Sequence, residues 1–114
     1  MIRSKKEMRT ELREHMRDGD GTVSITHMVE KEDMRNCRLM SIIELPVGAG
    51  IGEHRHDNET EYYIILRGEG IVGEQDGEKP VHAGDIVVTG NGESHSIRNV
   101  GSTPLVMNAV IITD

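Results

Sequence analysis

From Thr22 onward, apolar and polar residues alternate in short runs broken by glycine, a pattern that predicts strands and turns with no long helix. Val23, Ile25, His27 and Val29 share one face of a first candidate strand, and a charged loop over 30–36 leads to a second over 39–45. The run Pro46-Val47-Gly48-Ala49-Gly50 turns the chain into a third strand over 51–55, and residues 61–66 form a fourth after a polar loop. Asp76-Gly77, between candidate strands at 71–74 and 79–82, is the clearest hairpin signal. Runs at 86–89, 95–100 and 105–112 complete roughly nine strands, spaced as in an all-β sandwich or barrel.

Residues 1–17 depart from this pattern, because Met8, Leu12 and Met16 recur every four positions and Ser4-x-x-Glu7 has the form of a capping box. A short helix ending at Asp18-Gly19-Asp20-Gly21 is expected, although an extended arm packing on a partner would use the same apolar residues. The chain therefore divides into an N-terminal helix or arm over 1–21 and one β-barrel domain over 22–114. The stretch Tyr62-Tyr63-Ile64-Ile65-Leu66 is apolar on both faces, so both should be buried. One face can point into the barrel; a second copy of the chain is the expected cover for the other, giving a homodimer.

Composition narrows the core and the partners. With 35% apolar residues, no Phe or Trp and only two Tyr, the core must be aliphatic. The formal charge of −7 is uneven: residues 1–17 carry six basic and three acidic side chains, which leaves −10 on the remainder, so the main body repels nucleic acid. Glu7, Glu11 and Glu14 interleave with the early basic residues, which reads as a solvated surface. The single Cys37 has no internal disulfide partner, and no signal-like or membrane-length apolar run is present. The expectation is a reduced, soluble, cytoplasmic protein.

The chemistry concentrates in four residues. His54 and His56 are two apart, so on a strand their imidazoles share a face and two nitrogens can meet one ion. Glu61 opens the next strand, and His95 follows the glycine turn Gly90-Asn91-Gly92. Three imidazoles and one carboxylate would leave positions open on an octahedral ion for water or substrate.

Here the chain closely resembles the cupin family. Gly48, His54, His56, Glu61 and Gly68 stand at every spacing of the first cupin motif, and Gly84, Gly92, His95 and Asn99 match the second, with Gly90 replacing its proline. Glycine there should loosen the turn without moving a ligand. The fifteen residues between Gly68 and Gly84 resemble the short insert of small microbial cupins. The resemblance implies a double-stranded β-helix, or jelly roll, with His54, His56, Glu61 and His95 as ligands to one divalent metal ion. Such a set suits Mn²⁺ or Fe²⁺, and Zn²⁺, Ni²⁺ or Co²⁺ would also bind. Gly-Glu-His-x-His around His54 and Gly-Glu-Ser-His-Ser around His95 are similar to small oxalate-decarboxylase-like cupins, implying a metalloenzyme, a decarboxylase or dioxygenase, acting on a small carboxylate or oxygen-rich metabolite. A non-catalytic binding or sensing module is the alternative. A sugar-phosphate isomerase ranks third, since its phosphate clamp would have to come from scattered Arg55, Arg67 and Arg98.

Outside the four, Tyr63 shares the face of Glu61 and is placed either beside the pocket or in ordinary core packing. Glu93, with Ser94, precedes His95 at the expected barrel mouth, where a carboxylate can serve as acid or base or simply be solvated. His27 is expected inside the barrel, its ring satisfied by a backbone carbonyl rather than supporting the site. Asn108 faces either the cavity or an edge, and His15 and His82 read as surface residues. Gly68-x-Gly70-x-x-Gly73 mimics a dinucleotide-binding pattern but lacks the following helix.

Overall fold

A computed structural model describes all 114 residues. Ten strands follow one another: β1 (Arg9–Glu14), β2 (Thr22–His27), β3 (Cys37–Leu45), β4 (Gly50–Arg55), β5 (Glu59–Arg67), β6 (Glu69–Glu74), β7 (Gly77–His82), β8 (Ile86–Gly90), β9 (Ser94–Asn99) and β10 (Leu105–Thr113). All pair antiparallel, in a six-stranded sheet of order β1-β2-β3-β10-β5-β8 and a four-stranded sheet of order β4-β9-β6-β7. The two sheets face each other as a jelly roll, in which inward residues alternate with outward ones. No helix is long and apolar enough to cross a membrane.

The sheets share an aliphatic core that includes Val23, Ile25, Ile43, Leu45, Ile65, Val72, Ile97, Leu105 and Met107, all at most 2% exposed. Burying each such side chain contributes about 1.5–3 kcal/mol. Toward one end the same inward faces turn polar: Ile65 gives way to Tyr63 and Glu61 on β5, Val87 to Thr89 on β8, and Ile97 to His95 on β9. At the other end Asn99 donates to the carbonyls of Leu45 and Thr103 and accepts from the Gly101 N–H, which pins the closing loop.

An irregularity in β4 decides where the site points. Ile51 pairs with Ile97 and His54 with His95, so three steps on β4 span two on β9. One extra residue at a bulge reverses the alternation of faces. Ile51 and His54, which plain alternation would put on opposite faces, therefore both turn inward.

The expected N-terminal helix is not formed. Ser4 Oγ does donate to Glu7 Oε1, at 2.8 Å, but the helical segment it closes is a single 3-10 turn, Lys5–Glu7. Residues 9–14 run extended and pair with β2 from Arg9–His27 to Glu14–Thr22. A helix of this length gains little by itself in water, whereas β2 offers an unpaired row of backbone donors and acceptors. Cross-strand contacts add to the choice, with Thr10 and Thr26 hydroxyls 2.8 Å apart and Arg9 bonded to Glu30. Of the three apolar residues that suggested a helix face, Met16 packs on the core while Leu12 is 72% exposed.

Tyr63 and Ile65 are buried on the inner face of β5, while on its outer face Tyr62 and Ile64 are half-buried and Leu66 is exposed, so the single chain leaves that face partly open. One further expectation is corrected. Asn108 lies on neither the cavity nor an edge: β10 is an interior strand, and Asn108 projects outward between Ile42 and Ile64. His15 and His82 are exposed, as expected.

Candidate metal centre

Four strands deliver the site. His54 stands opposite His95 on β4 and β9 of one sheet, and Glu61 opposite Thr89 on β5 and β8 of the other. His56 follows just beyond β4, held by its N–H to the Glu93 carbonyl and its carbonyl to the Gly92 N–H. The four candidate ligand atoms lie within 4.8 Å of one another. His95 Nε2 is 3.0 Å from His54 Nε2, 3.1 Å from His56 Nε2 and 2.9 Å from Glu61 Oε1. His56 Nε2 is also 2.9 Å from the same oxygen. All four side chains are at most 8% exposed.

The other ring nitrogens explain why the Nε2 atoms converge. His54 Nδ1 is 2.8 Å from the Gly52 carbonyl and His56 Nδ1 is 2.5 Å from Glu59 Oε2. A carbonyl and a carboxylate only accept, so both Nδ1 atoms carry the proton and both Nε2 atoms present lone pairs. His95 Nδ1 meets the Thr89 hydroxyl at 2.8 Å. The Nε2 lone pairs of His56 and His54 thus face a Glu61 carboxylate oxygen, at 2.9 and 3.5 Å, in a buried space, an arrangement that a cation relieves. This donor set is suited to a divalent metal ion.

Burial pushes the Glu61 carboxyl upward, but with no cation bound the surrounding imidazoles share protons with it, outweigh burial and hold the pKa at about 2. Burial depresses the His95 pKa, keeping its ring neutral near pH 7 against the pull of Glu61. Glu59, bridged by Arg38 Nε and Nη2 at 2.6 and 2.7 Å and bonded to His56, is also held at about 2. A chain of contacts therefore runs from Arg38 through Glu59 to the His56 ring.

Tyr63 is both core and pocket. It is 1% exposed and its ring stacks on His95, with centroids 4.7 Å apart and planes 11° from parallel. Burial, with Glu61 beside it, raises its pKa well above the usual tyrosine value, so the hydroxyl keeps its proton. Glu93 is exposed and its Oε1 accepts from the Gly90 N–H, which closes the turn before His95. His27 departs from expectation: its Nε2 is buried without a hydrogen-bond partner, 3.4 Å from a Glu11 oxygen, and no backbone carbonyl satisfies it.

Gly90 also does more than loosen a turn. A Cβ there would lie 2.5 Å from Thr60 Oγ1 and 3.1 Å from the Glu59 carbonyl, and its N–H is already used by Glu93. Glycine lets β8 approach β5 beside Glu59, so it supports the position of the acceptor for His56.

The cluster opens into a cavity of about 100 Å³, lined by His54, His56, Glu61 and Tyr63 together with His27, Ile25, Leu39, Ile51 and the arginines Arg13, Arg17 and Arg38. Larger depressions lie elsewhere on the surface, away from any cluster of ligand-type side chains. Sequence reasoning did not single out Glu59, Thr89 or the three arginines. Glu59 had a legible signal, since positions 59, 61 and 63 share one face of a strand.

The fold and the four convergent ligand-type residues define a cupin with a site suited to a metal. Comparison agrees: the cupin domain family matches residues 41–112, and the chain belongs to that family. It is 42% identical over 113 residues to the oxalate-binding protein of Thermotoga maritima, covering 98% of this chain and 93% of that protein. A crystal structure described as a predicted oxalate decarboxylase from Thermotoga maritima superposes with a TM-score of 0.94 at 41% identity over the full length of both chains. A sugar phosphate isomerase of the cupin superfamily from Silicibacter pomeroyi matches with a TM-score of 0.69 and 17% identity, covering 81% of this chain and 60% of that one. That likeness shows the fold alone.

Proposed function

We propose that this chain is a metal-dependent small cupin that takes a small carboxylate or oxygen-rich anion at a divalent ion, Mn²⁺ or Fe²⁺ by preference, held by His54, His56, Glu61 and His95. The observation that carries the reading is the convergence of three ring Nε2 atoms on one Glu61 oxygen, each imidazole fixed from behind by Gly52, Glu59 or Thr89. When bound, such an ion supplies Lewis acidity, polarising an oxygen of the ligand. Tyr63 holds the His95 ring from one side, and the aliphatic wall of Ile25, Leu39 and Ile51 limits water. The cavity is small beside the roughly 300–1,000 Å³ of drug-sized pockets, which favours a ligand of few atoms over a sugar phosphate. The oxalate-binding relative agrees with that size class.

Decarboxylation or oxygenation is the first reading of the activity. Binding without turnover is the second, and one observation favours it: Glu61 is the only carboxylate lining the cavity, so no free acid or base of that kind faces a ligand. Elemental analysis of the purified protein, followed by titration of the Mn²⁺-loaded form with oxalate, tests the proposal. Failure to retain any divalent metal, or no change in the Mn²⁺ spectrum with oxalate, would refute it. Product formation lost in His54→Ala and Glu61→Ala, with folding intact, separates enzyme from binding module. A reduced, cytoplasmic setting and a homodimer belong to the same proposal. The dimer would cover the outer face where Leu66, Ile86 and Val88 are 44, 60 and 54% exposed, and sedimentation as a monomer at micromolar concentration would exclude it.

A further inference from the structure

Three arginines line the cavity of a chain whose formal charge is −7. Two are already neutralised, Arg13 by Glu11 at 2.6 Å and Arg38 by Glu59 at 2.6 Å. Arg17 has no carboxylate partner and makes no side-chain hydrogen bond, and it lines the same cavity as Tyr63, His54, His56 and Glu61.

The backbone around Arg17 is held in an unusual shape. His15, Arg17 and Asp18 all have positive φ, at 49°, 54° and 65°. Residues with side chains adopt this region rarely and at a cost, so it persists where neighbours enforce it. The enforcement here is visible. Asp18 N–H donates to the His15 carbonyl and Gly19 N–H to that of Met16, both at 2.9 Å, while Met16 packs on the core.

The turn also sits directly on the backbone of β4. A Cβ at Gly52 would fall 1.8 Å from the Arg17 carbonyl oxygen, and one at Gly19 would fall 2.3 Å from that of Gly50. Gly52 is at the bulge that turns His54 inward, and its carbonyl accepts the His54 Nδ1 proton. One glycine thus seats both the strained turn bearing Arg17 and a ring of the metal centre.

Charge balance points to the ligand. A divalent ion less the Glu61 carboxylate leaves one positive charge, and the unpaired Arg17 adds a second. The complementary ligand carries two negative charges, and the 100 Å³ cavity keeps it short. An arginine fork recognises a carboxylate through paired N–H donors, and the unpartnered His27 Nε2 offers a further polar contact.

Resting on the proposed function, we infer that Arg17 determines specificity by taking the second carboxylate of a small dicarboxylate whose first carboxylate lies at the metal centre. The test compares oxalate with glycolate, which also offers a metal two oxygens but carries one negative charge. Calorimetry on the Mn²⁺-loaded full chain would be run for the wild type, Arg17→Gln and Arg17→Lys. Arg17→Gln should weaken oxalate about 10- to 100-fold, with Arg17→Lys between it and wild type. Glycolate binding and Mn²⁺ affinity, read by chelator competition, should stay within about twofold. Arg17 is exposed, so neither variant removes core packing, and thermal unfolding should be unchanged.

Unchanged oxalate affinity in Arg17→Gln, or an equal loss for both acids, overturns the assignment of Arg17 and leaves the metal-centre reading intact. A wild type that takes up Mn²⁺ but binds neither acid overturns the proposed ligand class, and this inference with it.

Discussion

Replacing Glu59 by glutamine keeps the outline of the side chain and removes its charge, which isolates the support given to His56. In the native site the Glu59 carboxylate accepts the His56 Nδ1 proton at 2.5 Å and is itself gripped twice by Arg38. His56 and Glu59 side chains are 2% and 12% exposed, so water does not readily replace the lost contact. With glutamine, either the amide oxygen accepts as a neutral, weaker partner, or the amide NH₂ faces Nδ1 and drives the proton to Nε2, where it points at the other ligands. Loss of a partner behind a metal-binding histidine costs about 10- to 100-fold in affinity, or roughly 1.4–2.7 kcal/mol. Chelator-competition titration with Mn²⁺ measures this directly. Arg38→Ala leaves the carboxylate in place, so its loss should be smaller. Glu59→Gln holding Mn²⁺ within about twofold of wild type, or Arg38→Ala costing more, would refute this role of Glu59.

Three further outcomes are expected. Gly52→Ala should lower stability by at least about 1–3 kcal/mol, because its Cβ meets Arg17 backbone at 1.8 Å; an unchanged melting temperature would contradict the close seating of the turn on β4. Gly90→Pro, which restores the proline of the cupin motif, should destabilise by about 1–3 kcal/mol, since it loses the N–H to Glu93 and crowds Thr60; denaturant titration showing stabilisation would refute this. Metal-free protein should lose stability on acidification. Its His95 pKa is depressed in the fold, so that contribution is complete above the ordinary value of 6.5 and declines below it. Glu59, ordinarily 4.5 and held at about 2, contributes on the order of 3 kcal/mol that is lost between those values as pH falls. Unfolding free energies that stay flat from pH 7 to about pH 3 would contradict both assignments.

The ligand set was legible because the residue spacings along the chain carry it: two histidines two apart on a strand, a glutamate after a short turn, and a histidine after a glycine turn. Period-two alternation likewise located nine of the ten strands. The N-terminal strand was not legible, because Met8, Leu12 and Met16 fit a helical stripe while the deciding factor was the unpaired edge of β2, a partner absent from the local sequence. His27 illustrates the same limit. Its inward face could be read from Val23 and Ile25, but whether a carbonyl, a carboxylate or nothing would meet its Nε2 depended on β1 lying alongside.

Element type, the aliphatic core and the identity of the four candidate ligands follow from side-chain chemistry and from periodicities within a few residues. Tertiary structure decided the rest: the bulge that turns His54 and Ile51 to one side, the acceptors Gly52, Glu59 and Thr89 that orient the rings, and the turn that carries Arg17 to the cavity. Hydrogen-bond direction and close backbone approach are relations between segments brought together only by folding. For that reason the spacing of residues names which atoms can hold an ion, while the packing of strands determines which way those atoms face and what stands above them.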